Sequence, residues 1–189
     1  AADLASSVTL GTGQFCTNPG VIIICDPSQE SSLVRRMHEE MRKMELPPMV
    51  HANIELKFKE QIAELTARGK EVEYYFSDNN HAVIGVVSAF HFIENPSLSE
   101  EVFGPFSLIV HCHSLEEMVD VAAGLKGQLT ATLLSSPEDQ KAVQLLLPKV
   151  QAKVGRVLFE GVPTGVAVTQ AMQHGGPYPA TTDSRFTSV

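Results

Sequence analysis

The stretch GTGQFCTNPG, residues 11–20, sets Cys16 among glycines, small polar residues and a proline. Glycines permit tight turns and the close approach of another molecule, whereas a cysteine kept for packing usually sits in an apolar run. Cys16 therefore reads as presented, and the chemistry open to it is nucleophilic attack. That attack needs a thiolate, which an unperturbed thiol of pKa about 8.5 supplies to only a few per cent at neutral pH. Backbone N–H groups at a turn or helix start would raise that fraction and also face a developing oxyanion. The plain alternative is a small inert hydrophobe in a loop. The pyrophosphate pattern GxGxxG does not apply, because Cys16 holds its third glycine position and no strand precedes Gly11.

Two other stretches carry functional side chains. In EEVFGP, residues 100–105, Gly-Pro makes a fixed turn that holds Glu101 and Phe103 at the mouth of the apolar strand that follows. A carboxylate there can accept hydrogen bonds from ribose hydroxyls; a solvated turn is the alternative. In His111-Cys-His113, a period of two puts both histidines on one strand face, as a metal site would use, but no third ligand is apparent. Partly buried or edge histidines are the simpler reading. Met37, Met41 and Met44 read as core packing, and the KFKE and RGKE charges as helix surface.

Composition bounds the partners. With 43% hydrophobic residues, the 189-residue chain can bury a sizeable core as one domain or as one lobe of something larger. Its net charge of −8, from 14 basic and 22 acidic residues, offers no broad field for nucleic acid or anionic lipid. Apolar runs such as VIIIC are too short to span a bilayer, and AADLASSVTL lacks the regions of a signal peptide, so a cytoplasmic protein is expected. Cys16, Cys25 and Cys112 form no CxxC pair, which argues against a disulfide scaffold or a zinc ribbon. No histidine has the sequence context of a nucleophile's partner, which weakens a cysteine hydrolase.

The elements that must position these groups alternate. Periodicity predicts a helix ending near residue 10, a strand at 21–25, a helix from Ser28, its cap, to Met44, and a helix from His51 to Ala67. Strands at 71–76 and 82–90 follow, then a strand at 106–112 and a helix from a Ser114 capping box to Leu125. A strand at 130–134, a helix from Pro137 to about Lys153 that Pro148 should end or kink, and a strand at 157–159 complete the series. Strands separated by helices imply an α/β fold, three-layer α/β/α with a mainly parallel sheet. We expect the strands at 21–25, 106–112, 130–134 and 157–159 in one sheet, with Cys16 and Glu101 in one crevice at its carboxyl edge. From Glu160 onward the chain is turn-rich, with three prolines and four glycines.

Taken together, GQFC followed by a small residue and, much further on, EEVFGP before a strand resemble the aldehyde dehydrogenase superfamily. The resemblance runs through GRVLFEGVPTG and implies the catalytic domain of a longer enzyme, without the dinucleotide-binding domain, the general-base glutamate or the C-terminal oligomerisation strand. It implies that Cys16 attacks the aldehyde carbon, with its own N–H in the oxyanion hole, that Glu101 holds the ribose of NAD or NADP, and that Phe103 packs beside the nicotinamide. Phe15 and the Gly161-Val162-Pro163 turn become candidates for the aldehyde pocket, although Glu160 stands where many members have asparagine. The full-length enzyme would be a homo-oligomer that oxidises an aldehyde to an acid through a thiohemiacetal and a thioester, and the isolated chain would be inactive. The tail AMQHGGPYPATTDSRFTSV is similar to the branch that oxidises α-ketoglutarate semialdehyde, which also holds bacterial long-chain fatty aldehyde dehydrogenases. A dicarboxylic semialdehyde needs a cation for its distal carboxylate, and Arg185 is the candidate, with an ion pair to Asp183 as its structural alternative. A non-enzymatic binding module with an inert Cys16 is the rival of a different class.

Overall fold

A computed structural model describes residues 1–26, 32–68, 70–78, 81–162, 164 and 175–177. Four strands form the main sheet: β1 (Val21–Cys25), β2 (Glu73–Phe76), β3 (Val83–Ser88) and β4 (Phe106–Cys112), in the order β1-β4-β3-β2. β4 is parallel to both neighbours, with Val21 opposite Leu108 and Val83 opposite Phe106, while β2 runs antiparallel to β3. All seven residues of β4 are buried, as a central parallel strand covered on both faces requires.

Alternation along the strands builds two cores. Ile22, Ile24, Ile84 and Ile109 face α1 (Ala2–Thr9) and α2 (Ser32–Arg42), where they meet Val8, Met37 and Met41. Val83, Val87, Leu108 and Val110 face the other way, onto Phe58 and Ile62 of α3 (Ala52–Arg68), Phe92 of α4 (Ala89–Glu94) and Val121 of α5 (Leu115–Gly124). The result is helices, sheet, helices, the three layers expected. Met37 and Met41 are core residues, 0% and 2% exposed.

Several elements differ from expectation. The strand expected to 90 stops at Ser88, whose hydroxyl accepts from the His91 N–H and starts α4. Strand β2 begins at Glu73 rather than 71, and α2 at Ser32; Ser28 lies outside the described residues. Pro148 does not end α6 (Gln140–Gln151), since the Ala152 N–H still reaches its carbonyl. The hydrogen bond that Pro148 removes would end on Gln144, and both residues lie on the exposed side, where water supplies the partner.

The largest difference concerns the last two strands. β5 (Gln128–Thr132) and β6 (Val154–Leu158) begin earlier than expected and pair with each other in parallel, as a separate two-stranded sheet. Their link to the main sheet is helical. Val121 of α5 enters the main core, while its neighbour Ala122, about 100° round the helix, joins Leu146, Val150 and Val154 in a third cluster. Alternation marks a strand in the sequence, but the packing of α5 and α6 selects its neighbour. Among the described residues, no helix is long and apolar enough to cross a membrane.

Ile109, fully buried in the central strand, tests this two-core reading. Ile109→Ala should lower unfolding stability by about 2–5 kcal/mol, read as a shift in urea midpoint at unchanged slope. A change within about 0.5 kcal/mol, the size typical of surface substitutions, would contradict it.

Candidate active site

The segment that carries Cys16 leaves α1 through an unusual backbone. Gly11, Thr12 and Gly13 take three successive left-handed conformations, with φ of 55°, 56° and 69°. Thr12 adopts there a conformation that costs a non-glycine residue about 1–2 kcal/mol. Its compensation is visible: Thr12 is 2% exposed, and its hydroxyl donates to the Pro47 carbonyl at 2.8 Å. Gln14 then ties the turn down twice, donating through Nε2 to the Gly11 carbonyl and accepting through Oε1 from the Val50 N–H. Cys16 and Thr17 form the tip of the next turn, closed by the Asn18 N–H on the Phe15 carbonyl at 3.0 Å. Cys16 is exposed, as the residues around it suggested, and so is Phe15 beside it.

This turn lies directly on the Gly104 turn. A β-carbon on Gly13 would fall inside the Gly104 carbonyl and the Pro105 nitrogen, so only glycine allows the two backbones to touch. On the other side of Cys16, Asn18 Nδ2 donates to the Gly104 carbonyl at 3.0 Å. Gly104 itself, at φ 151°, faces Phe58 and Met49, and a side chain there would strike the Phe58 ring at 2.5 Å. Residues 13 and 18 thus grip the Glu-Val-Phe-Gly-Pro turn from either side of the cysteine, and both motifs belong to one assembly.

Its position on the sheet corrects the expected crevice. Gly20 and Val21 follow the cysteine turn into β1, and Pro105 leads into β4, with the Leu108 N–H on the Gly20 carbonyl and Ser107 Oγ donating to the Pro19 carbonyl. Both motifs precede parallel strands, so they lie at the amino edge of the sheet, not the carboxyl edge. The carboxyl-edge rule describes loops that leave strands, whereas these two loops enter them.

Glu101 and Phe103 stand at one wall of a groove of about 400 Å³. The other wall is α3, through Asn53, Lys57, Phe58 and Gln61, and Gln61 Nε2 bonds the Glu101 carbonyl at 3.1 Å. Sequence reading missed these α3 residues and took Lys57 for plain surface. Their spacing of about one helical turn was the available signal, but nothing in the sequence showed that this face meets the Glu101 turn. Lys59, by contrast, pairs with Glu55 across the helix surface.

The segment after β6 also reaches the cysteine turn. Gly161 turns at φ 76°, Val162 follows, and Thr164 hydrogen-bonds Ser7 of α1 and the Thr17 carbonyl. Pro163 and Arg185 lie outside the described residues. His111, in β4, and His113, just past its end, bring their rings edge-to-face at 5.2 Å. Among the described residues, no group of three or more histidine, cysteine, aspartate or glutamate side chains could hold a metal ion.

The other cysteines sit in register at the far ends of β1 and β4, Cys25 opposite Cys112. Burial, then Glu117 and Cys25, push the Cys112 thiol up to about 12. Burial, then Asp26, Glu116 and Glu117, also raise Cys25. A raised thiol pKa withholds the thiolate until higher pH. Brief alkylation with iodoacetamide near neutral pH should therefore modify Cys16 before Cys25, leaving Cys112 untouched, with Cys25 catching up as pH rises. Peptide mapping showing Cys25 or Cys112 labelled first would reverse this order. The backbone contact has its own test: Gly13→Ala should cost about 3 kcal/mol or more in unfolding stability, and a loss below about 1 kcal/mol would show that the turns can separate.

Comparison with known proteins fits this geometry. The model of the aldehyde dehydrogenase family matches residues 1–177. The whole chain aligns with alpha-ketoglutaric semialdehyde dehydrogenase 2 of Azospirillum brasilense at 38% identity and with alpha-ketoglutaric semialdehyde dehydrogenase of Acinetobacter baylyi at 36%, covering 37% of each. The chain thus spans little more than a third of the length of these curated relatives. A crystal structure of betaine aldehyde dehydrogenase from Staphylococcus aureus, in complex with NAD+, superposes with a TM-score of 0.68 over 91% of this chain and 38% of that one, at 16% identity, a likeness of fold. Because the family match takes in the cysteine turn, the Gly104 turn it touches and both sheets, the chain belongs to the aldehyde dehydrogenase family.

Proposed function

We propose that this chain supplies the nucleophile and part of the cofactor groove of a nicotinamide-dependent aldehyde dehydrogenase acting on α-ketoglutarate semialdehyde. The observation that carries the reading is the contact of the cysteine turn with the Glu101 turn, through Gly13 and Asn18 on Gly104. It brings a nucleophile beside a groove whose lining suits a nicotinamide riboside: an exposed carboxylate, an exposed aromatic ring, and polar side chains on α3. Glu101 would accept from ribose hydroxyls and Phe103 would pack beside the ring, with Asn53, Lys57 and Gln61 opposite. When bound, the nicotinamide supplies the hydride acceptor.

Cys16 Sγ, as thiolate, forms a bond to the aldehyde carbon, and the carbonyl oxygen becomes an oxyanion facing backbone N–H groups of the turn. Loss of hydride leaves a thioester on Cys16, and water then releases the acid and the thiol. The turn tip gives Sγ access, while Thr12, Gln14 and Asn18 hold its backbone so that the attack needs little rearrangement. Phe15 and the Gly161-Val162-Pro163 stretch are the candidates for the aldehyde pocket, and Arg185 is the candidate cation for the distal carboxylate. The named relatives support this substrate.

The full-length protein, given a panel of aldehydes with NAD+ or NADP+, should form reduced nicotinamide with α-ketoglutarate semialdehyde. Cys16→Ala should lower kcat about a thousandfold or more, and Arg185→Ala should raise KM for the dicarboxylic semialdehyde far more than for a neutral aldehyde. Turnover that survives Cys16→Ala would remove the nucleophile, and equal KM changes would return Arg185 to a structural role.

A further inference from the structure

Asn18 stands two residues past Cys16, half-buried, with its backbone N–H on the Phe15 carbonyl and its side-chain Nδ2 donating to the Gly104 carbonyl at 3.0 Å. The Gly104 carbonyl also accepts from the Phe106 N–H at 2.8 Å, so both of its lone pairs are used. The Phe106 bond lies within the turn, whereas the Asn18 bond crosses to it from the cysteine loop. A carbonyl can only accept, so the amide cannot flip without losing this bond, and Asn18 Oδ1 is left buried with no donor. A buried acceptor without a partner offsets what the hydrogen bond returns. Asn18 therefore adds little to the stability of the fold, and what its bond supplies is orientation. Gly104 directly follows Phe103 and lies three residues past Glu101, in the turn that walls the groove. At its other end the turn is held by Gln61 Nε2 on the Glu101 carbonyl. Gly13 meets Gly104 through backbone alone, a contact about which the turn can pivot, and the Asn18 amide removes that freedom.

We infer that Asn18 is a positioning residue for hydride transfer: it sets the orientation of the Glu101–Phe103 turn, and so of a nicotinamide riboside in the groove, relative to Cys16. This rests on the proposed dehydrogenase function for its reaction, but the tether itself belongs to the two loops and can be read without cofactor or substrate. Asn18→Leu is close to isosteric and removes the donor together with the orphaned oxygen, so the fold tolerates it while the turn loses its tether. Asn18→Gln keeps an amide donor, on a stem one methylene longer.

The test uses the full-length protein and three readouts: amide hydrogen exchange of the peptide covering 100–106 without cofactor, iodoacetamide labelling of Cys16 without cofactor, and single-turnover reduction of NAD+ or NADP+ by α-ketoglutarate semialdehyde. In Asn18→Leu, exchange in 100–106 should quicken about tenfold. Hydride transfer should fall about tenfold or more, in keeping with the sensitivity of reacting centres to small displacements. Labelling of Cys16 should stay within about twofold of wild type, because the thiol is carried by the other loop. Asn18→Gln should lie between Asn18→Leu and wild type in exchange and in hydride transfer. Should Asn18→Leu fail to fold, Asn18→Ala removes the same donor without added bulk and carries the same expectations. Unchanged exchange at 100–106 in a folded variant without the donor would overturn the tether. Hydride transfer that is unchanged, or that falls no more than Cys16 labelling does, would overturn its part in the reaction. A wild-type protein that reduces neither NAD+ nor NADP+ with any aldehyde would sink the dehydrogenase reading and this role with it, while the exchange measurement still decides the tether.

Discussion

The backbone contact between Gly13 and Gly104 governs the rest of the site. Two loops that enter neighbouring strands of a parallel sheet start about 4.8 Å apart, and that spacing leaves no room for side chains between them. Glycine at 13 lets the backbones meet, the bare Gly104 makes room for Phe58 behind it, and the Asn18 amide closes the junction with a hydrogen bond. The cysteine is carried at the tip of one loop, Glu101 and Phe103 on the other, so their relation follows from the pairing of β1 with β4. Moving either strand by one register would move the cysteine and the groove apart.

The cost of this junction is distributed over its surroundings. Three left-handed residues in a row are unfavourable without compensation, and here it comes from the Thr12 hydroxyl on Pro47 and from Gln14 bridging Gly11 and Val50. Those bonds also fix the residues just before α3, and α3 forms the other wall of the groove. Helix α1 and the segment after β6 meet through Ser7, Thr164 and Thr17. Beneath lies a sheet buried on both faces, with isoleucines against α1 and α2 and valines and leucine against α3, α4 and α5.

The same architecture sets the electrostatics of Cys25 and Cys112. Cys25 and Cys112 close the far ends of the two strands that Cys16 and Glu101 precede, among acidic side chains and, for Cys112, complete burial. Both factors disfavour a thiolate. The carboxyl edge of β1 and β4 thereby carries thiols held in their neutral form, while Cys16 lies at the amino edge.

The sequence by itself determined the local features: the exposed cysteine among glycines, the fixed Gly-Pro turn, the strands at 21–25 and 106–112, the methionine face of α2, and the three-layer class. These follow from interactions within a few residues, such as side-chain periodicity, turn chemistry and capping, and can be read along the chain. Even the amino-edge position was implicit in the order of motif and strand. Tertiary structure alone decided what depends on distant partners. β5 pairs with β6, apart from β1, because α5 turns Val121 and Ala122 into different cores. Pro148 stays helical because its missing bond faces water, and Lys57 lines a groove because the Glu101 turn packs across α3. Ser7 and Thr164 look like ordinary small polar residues until folding buries them together, because a hydroxyl gains its role only when a partner distant in sequence arrives within hydrogen-bond reach.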